Sequence, residues 1–102
     1  MASNMLVRYG RYWRRGIRQE MYFVGQVMSG IRPGDFVRPV RACKSFECGW
    51  AGGFEERMKV YVGRIGKARS VGEFGITVEF AGGEQSTWPY FCLRKAHPVS
   101  AG

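Results

Sequence analysis

From Gly34 to Ala96 the chain is cut into short apolar runs by glycine and proline, a spacing that suits short strands and tight turns and little else. The runs are Pro33-Gly34-Asp35-Phe36-Val37, Gly49-Trp50-Ala51-Gly52, Val62-Gly63-Arg64-Ile65-Gly66-Lys67-Ala68, Gly75-Ile76-Thr77-Val78-Glu79-Phe80, Gly82-Gly83-Glu84, Trp88-Pro89 and Leu93-Arg94-Lys95-Ala96. Glycine enters positive φ at no steric cost, so 15 glycines in 102 residues favour turns and bulges over helices through this stretch. With 45% hydrophobic and 15% aromatic residues the segment has enough apolar surface to fold, and a small β-barrel is expected.

A first strand is expected over 35–42, after the turn signal Ile31-Arg32-Pro33-Gly34, with Pro39 at an edge or a bulge. Residues 43–58 show no clear period and read as a long surface loop. Alternation over 60–68 predicts a second strand bent at its glycines. Strands over 74–80 and 84–88 pair through Gly82-Gly83, a two-glycine hairpin signal. One tight turn at 89–93 then leads into a last short strand at 94–96. The organisation is thus an arm (1–30), a barrel (31–97) and a tail (98–102), and a barrel this small has a thin core.

Sixteen Lys and Arg against eight Asp and Glu give a net charge of +8, unevenly spread. Residues 1–32 hold Arg8, Arg11, Arg14, Arg15, Arg18 and Arg32 against Glu20, a net +5, which leaves +3 for the rest. A basic extension on a nearly balanced domain suits nucleic acid, anionic lipid or an acidic protein surface; the bland alternative is a solvated basic face.

On a helical wheel over 5–24, Met5, Leu6, Tyr9, Tyr12, Trp13, Ile17, Met21 and Val24 share one broad side, and Arg8, Arg11, Arg15 and Arg18 gather opposite. Ser3 or Asn4 is the expected N-cap. Gly10 and Gly16 each cost about 1 kcal/mol relative to alanine, so the helix needs a surface to lie on. A small barrel covers only part of a helix about 30 Å long, which makes another protein the expected partner. Contact with a membrane surface is the second option, the arginines meeting headgroups, and nucleic acid a further one.

No run approaches the ~20 apolar residues that cross a bilayer, and no secretory leader is evident. The arginine-rich, acid-poor start resembles a mitochondrial targeting segment, so a mitochondrial protein is expected, and otherwise an intracellular one, soluble or peripheral to a membrane.

Residues 33–96 resemble the SH3-type repeats of the mind-bomb and Keep-on-Going ubiquitin ligases, through Gly34-Asp35-Phe36-Val37-Arg38, Gly49-Trp50-Ala51-Gly52, Val62-Gly63-Arg64-Ile65, Val78-Glu79-Phe80, Trp88 and Leu93. The resemblance implies a mainly β fold, an SH3-like five-stranded barrel, here preceded by an amphipathic helix. One copy stands where that family has an array, and no zinc-binding ligase module accompanies it, so a ligase role is not implied. A looser likeness is to the SH3-like barrels of ribosomal proteins, which share the Gly-Asp-x-Val and Val-Gly-x-Ile strands.

Cys43, Cys48, Cys92 and His97 fit zinc spacing only loosely, so no metal is expected, and reduced, partly buried thiols are the expected state; a Cys43–Cys48 disulfide requires an oxidising compartment. No cofactor motif occurs, since Gly49–Gly53 is not followed by Lys-Ser or Lys-Thr. The one histidine lies near the C-terminus beside Pro98, Glu55-Glu56 reads as a solvated pair, and Asp35 as a turn cap, so no catalytic residues are expected and the chain is read as a non-enzyme.

Contact residues are sought instead among aromatics. Trp50, Tyr61, Trp88 and Tyr90, with Phe91, are placed to flank one groove for an extended peptide or stacked bases, although Trp88 suits the core equally. With Tyr9, Trp13, Ile17 and Met21 of the arm they form the expected protein-binding set, and Arg8, Arg11, Arg15 and Arg18 the set for nucleic acid or lipid headgroups.

The leading expectation is a non-catalytic accessory subunit of a large, mitochondrial assembly, of the respiratory-chain or ATP-synthase type, contacting other protein subunits. The alternatives are a (mito)ribosomal protein bound to rRNA, with Lys67 and Arg69 adding phosphate contacts, and a free peptide-binding adaptor.

Overall fold

The computed structural model describes residues 10–97, with side chains from residue 16 onward. One helix, α1 (Gly10–Ser29), precedes five strands: β1 (Phe36–Pro39), β2 (Gly66–Gly72), β3 (Gly75–Glu79), β4 (Gln85–Trp88) and β5 (Leu93–Lys95). All pairings are antiparallel and the sheet order is β4-β3-β2-β1-β5. The sheet is open, with β4 and β5 as its two edges, so what the fold shows is a five-stranded antiparallel sheet with an N-terminal helix rather than a closed barrel.

That sheet is nonetheless curled. Five flat strands would hold their outer members about 19 Å apart at ~4.8 Å per step. The chain passes from Trp88 to Leu93 through a single 3₁₀ turn, Tyr90–Cys92, and a 3₁₀ rise of about 2 Å per residue cannot span that width.

Helix α1 continues past the 5–24 wheel through Ser29, at the end of the expected arm, and the expected Ser3 or Asn4 cap lies outside the described residues. It stops where Gly30 turns left-handed at φ 69°, with the Gly30 N–H bonded to the Val27 carbonyl at 3.1 Å. Asp35 then caps the turn into β1, accepting a bond from the Arg32 N–H at 2.9 Å.

The second strand differs from the sequence expectation. Residues 56–61 form a 3₁₀ segment, Glu56–Tyr61, and β2 starts only at Gly66. Met58 and Tyr61, three residues apart, share one side of that turn and both are buried, while Val60 between them is exposed. Alternation over 60–68 therefore marked a tight helix followed by a strand. The Gly82-Gly83 hairpin forms as expected, with both glycines at positive φ and the Phe80 N–H bonded to the Glu84 carbonyl.

The core gathers Val37, Ala68, Ile76, Val78, Trp88 and Leu93 from the strands, Phe80 from just after β3, Cys92 from the 3₁₀ turn before β5, Ile31 from the entry turn, and Met58 and Tyr61 from the 3₁₀ segment. Among the described residues no buried side-chain polar atom lacks a hydrogen-bond partner.

Candidate functional site

Helix α1 is held on the sheet by one side only. Tyr22 is buried, its hydroxyl donates to Gln26 Oε1 at 2.7 Å and accepts from the Tyr90 N–H at 3.4 Å, and its ring lies 5.2 Å from that of Tyr90. Gln26 in turn donates to the Gly72 carbonyl at 2.9 Å, which fixes the helix to the β2–β3 turn. Burial raises the Tyr22 phenol far above its ordinary range, so it stays a neutral donor at physiological pH.

The other side of α1 carries a row of exposed apolar residues. Ile17, Met21, Val24 and Met28 are 37%, 68%, 58% and 80% exposed. Val24 stands roughly 200° around the helix from Tyr22, which turns this row away from the sheet. Val27 and Phe23 extend it, and beside Gln26 the β2–β3 turn leaves Phe74 and Val71 exposed. Large apolar side chains grouped on one face of a helix mark a contact surface.

Ile17 and Met21 of the expected contact set lie in this row. Tyr9 and Arg8 lie outside the described residues; Trp13, Arg11 and Arg15 lie within α1, but their side chains are outside them as well. Arg18 is exposed, and its backbone packs against Gly49. Val24 and Met28 complete the row, and extending the same wheel to the first stop signal, Gly30, would have included Met28.

The aromatic groove is not formed. Trp50, expected at the surface of its loop, is 1% exposed, and its indole N–H donates to the Phe74 carbonyl at 2.6 Å. Glycine neighbours at 52 and 75 allow this, since β-carbons there would strike the indole. Trp88 is wholly buried and donates to Ser86 Oγ at 2.8 Å. Tyr61 is buried by stacking on Phe80 at 4.3 Å, and its hydroxyl donates to Glu84, which Arg57 also holds at 2.8 Å. These contacts raise the Tyr61 phenol and lower the Glu84 carboxyl. Tyr90 is half-buried under α1. The four side chains thus stabilise the fold from different places and present no joint platform.

A cleft of about 500 Å³ opens between α1 and the 43–53 loop, lined by Arg18, Gln19, Phe46, Gly49, Trp50 and Ala51. All three cysteines are free thiols, Cys43 half-buried, Cys48 exposed and Cys92 buried, and the thiol that neighbours Cys43 is Cys92. Among the described residues no three His, Cys, Asp or Glu side chains are grouped to hold a metal ion, and no helix is long and apolar enough to cross a membrane. No protein-family model matches this chain, nor does any curated protein or solved structure.

Proposed function

We propose that this chain is a non-catalytic accessory subunit that docks into a larger protein assembly through the outward face of α1, while the sheet acts as a rigid body behind it. The observation that carries this reading is the row Ile17, Met21, Val24 and Met28, exposed on a helix whose opposite side is fixed to the sheet by Tyr22 and Gln26. Fully covering such side chains contributes about 1.5–3 kcal/mol each, a large return for a partner that buries them. The curled sheet, with one 3₁₀ turn linking its two edges, supports the SH3-like reading of the fold. The arginine-rich, acid-poor start supports a mitochondrial setting, with an assembly of respiratory-chain or ATP-synthase type.

The test is native isolation under mild conditions, sizing the protein before and after nuclease treatment. A large species that survives nuclease and contains stoichiometric protein partners is expected. A monomer, or a large species that nuclease collapses, overturns the reading, the second in favour of an RNA-bound protein.

A further inference from the structure

We propose that β5 and the cleft beside it form a docking site for an extended acidic segment of another protein, which adds to the edge of the sheet as a further strand. The site lies away from the outward face of α1, touching it only at Met28, and stands whether or not that face docks.

The backbone supplies the template. β5 is an edge of the sheet and is hydrogen-bonded on one side only, to β1. Arg94 and Arg38 are register partners, and the Ala96 N–H donates to the Phe36 carbonyl and the Val40 N–H to the Cys92 carbonyl, both at 2.8 Å. Residues 92, 94 and 96 thus face β1, and Leu93 and Lys95 turn their backbone groups the other way. The Leu93 N–H closes the 3₁₀ turn on the Tyr90 carbonyl. Among the described residues the Leu93 carbonyl and the Lys95 N–H and carbonyl have no backbone partner. An extended peptide meets such a row with donors and acceptors of its own, whereas a phosphate chain or a lipid headgroup brings acceptors alone.

The cleft supplies the room. About 530 Å³ opens between Met28 and Ser29 of α1, Ile31 of the entry turn, and Phe91, Arg94 and Lys95. Side chains of an added strand alternate between two faces, so one set lies over the apolar wall of this cleft and the other beside Arg94.

Charge then selects the occupant. Arg38 and Arg94 are both exposed and directly opposite each other, an arrangement that is destabilising by itself. Among the described residues neither forms a salt bridge, and Lys95 has one, to Asp35 at 3.5 Å. None of the described residues lining the cleft is acidic. A second copy of this chain fits poorly, because β5 laid against β5 sets Arg94 and Lys95 against their own charges. A segment in which apolar and acidic residues alternate fits both the cleft and the arginines.

The probe is a labelled synthetic peptide of about eight residues alternating Val and Glu, with a counterpart alternating Val and Lys. Each is titrated with the full chain while fluorescence anisotropy is read, and amide hydrogen exchange is followed by NMR with and without peptide. The acidic peptide is expected to bind at least about tenfold more tightly than the basic one and to slow exchange at the Lys95 amide by at least about tenfold. Arg94→Glu is expected to reverse the preference between the peptides and to leave the near-ultraviolet dichroism of Trp50 and Trp88 unchanged. Equal binding of the two peptides, binding of neither, or acidic binding that leaves exchange at Lys95 unaltered overturns the proposal. Loss of the binding in Met21→Glu puts the peptide on the outward face of α1 and overturns it too. Tighter binding of an oligouridylate than of the acidic peptide overturns it in favour of nucleic acid.

Discussion

Gly49 lies against the Arg18 carbonyl of α1 so closely that a β-carbon at position 49 would overlap the Arg18 carbonyl oxygen and carbon. Backbone meets backbone there, so no side chain can swing aside, and Gly49 also holds φ at 83°. Gly49→Ala is expected to lift the helix from the loop and to cost about 2 kcal/mol or more, from the overlap and the left-handed strain together. A fall in the urea midpoint, with a red-shifted tryptophan emission as Trp50 gains water, checks this.

Trp50→Ala removes a buried indole and leaves the Phe74 carbonyl without its donor. The expected loss is about 3–5 kcal/mol, enough to unfold a domain of this size or bring it to the edge. Thermal unfolding followed by circular dichroism reads it directly. A folded Trp50→Ala variant that had lost only partner binding would restore the surface role that its loop position suggested.

The contrast between Trp50 and Met21 shows what a sequence conveys. Met21 could be placed because helical period is local: apolar residues three and four apart share a face whatever the rest of the chain does. Trp50 could not, because its burial depends on Gly52 and on Gly75, whose carbonyl neighbour Phe74 lies 24 residues away. The hairpin at Gly82-Gly83 and the cap at Asp35 were legible for the same local reason. The 3₁₀ segment at Glu56–Tyr61 was not, since Met58 and Tyr61 reveal their common side only once the core between them exists. Which face of α1 the sheet would take was also hidden, because Tyr22 and Gln26 stand out only through contacts with Tyr90 and Gly72.

Tyr22 supplies a separate test of how α1 is attached. In Tyr22→Phe the ring remains, but Gln26 Oε1 and the Tyr90 N–H lose the hydroxyl between them. A loss of about 1–2 kcal/mol is expected, with hydrogen exchange faster at Tyr90 and along the C-terminal half of α1.

Thiol chemistry sets an alkaline limit on stability. Burial, then the neighbouring Cys92, pushes the Cys43 thiol from 9.0 up to about 12. The folded state thus holds this proton more tightly than the unfolded one, so the group's contribution is complete below pH 9.0 and is lost as pH rises toward about 12. Tyr22 acts in the same direction. Urea midpoints taken across that window should fall, and fall less steeply in Cys43→Ala. Exposed Cys48 should react with a thiol reagent well before Cys43 or buried Cys92 in the native protein.

The most direct test of the outward face is the double substitution Met21→Glu, Val24→Glu, sized natively in the cells that make the protein. Both side chains are exposed, so folding stability should change by no more than about 0.5 kcal/mol. The account predicts that the variant is folded but leaves the large nuclease-resistant species and runs as a monomer. A variant that stays in that species at the parent's stoichiometry would contradict the claim that this face of α1 is where the protein docks.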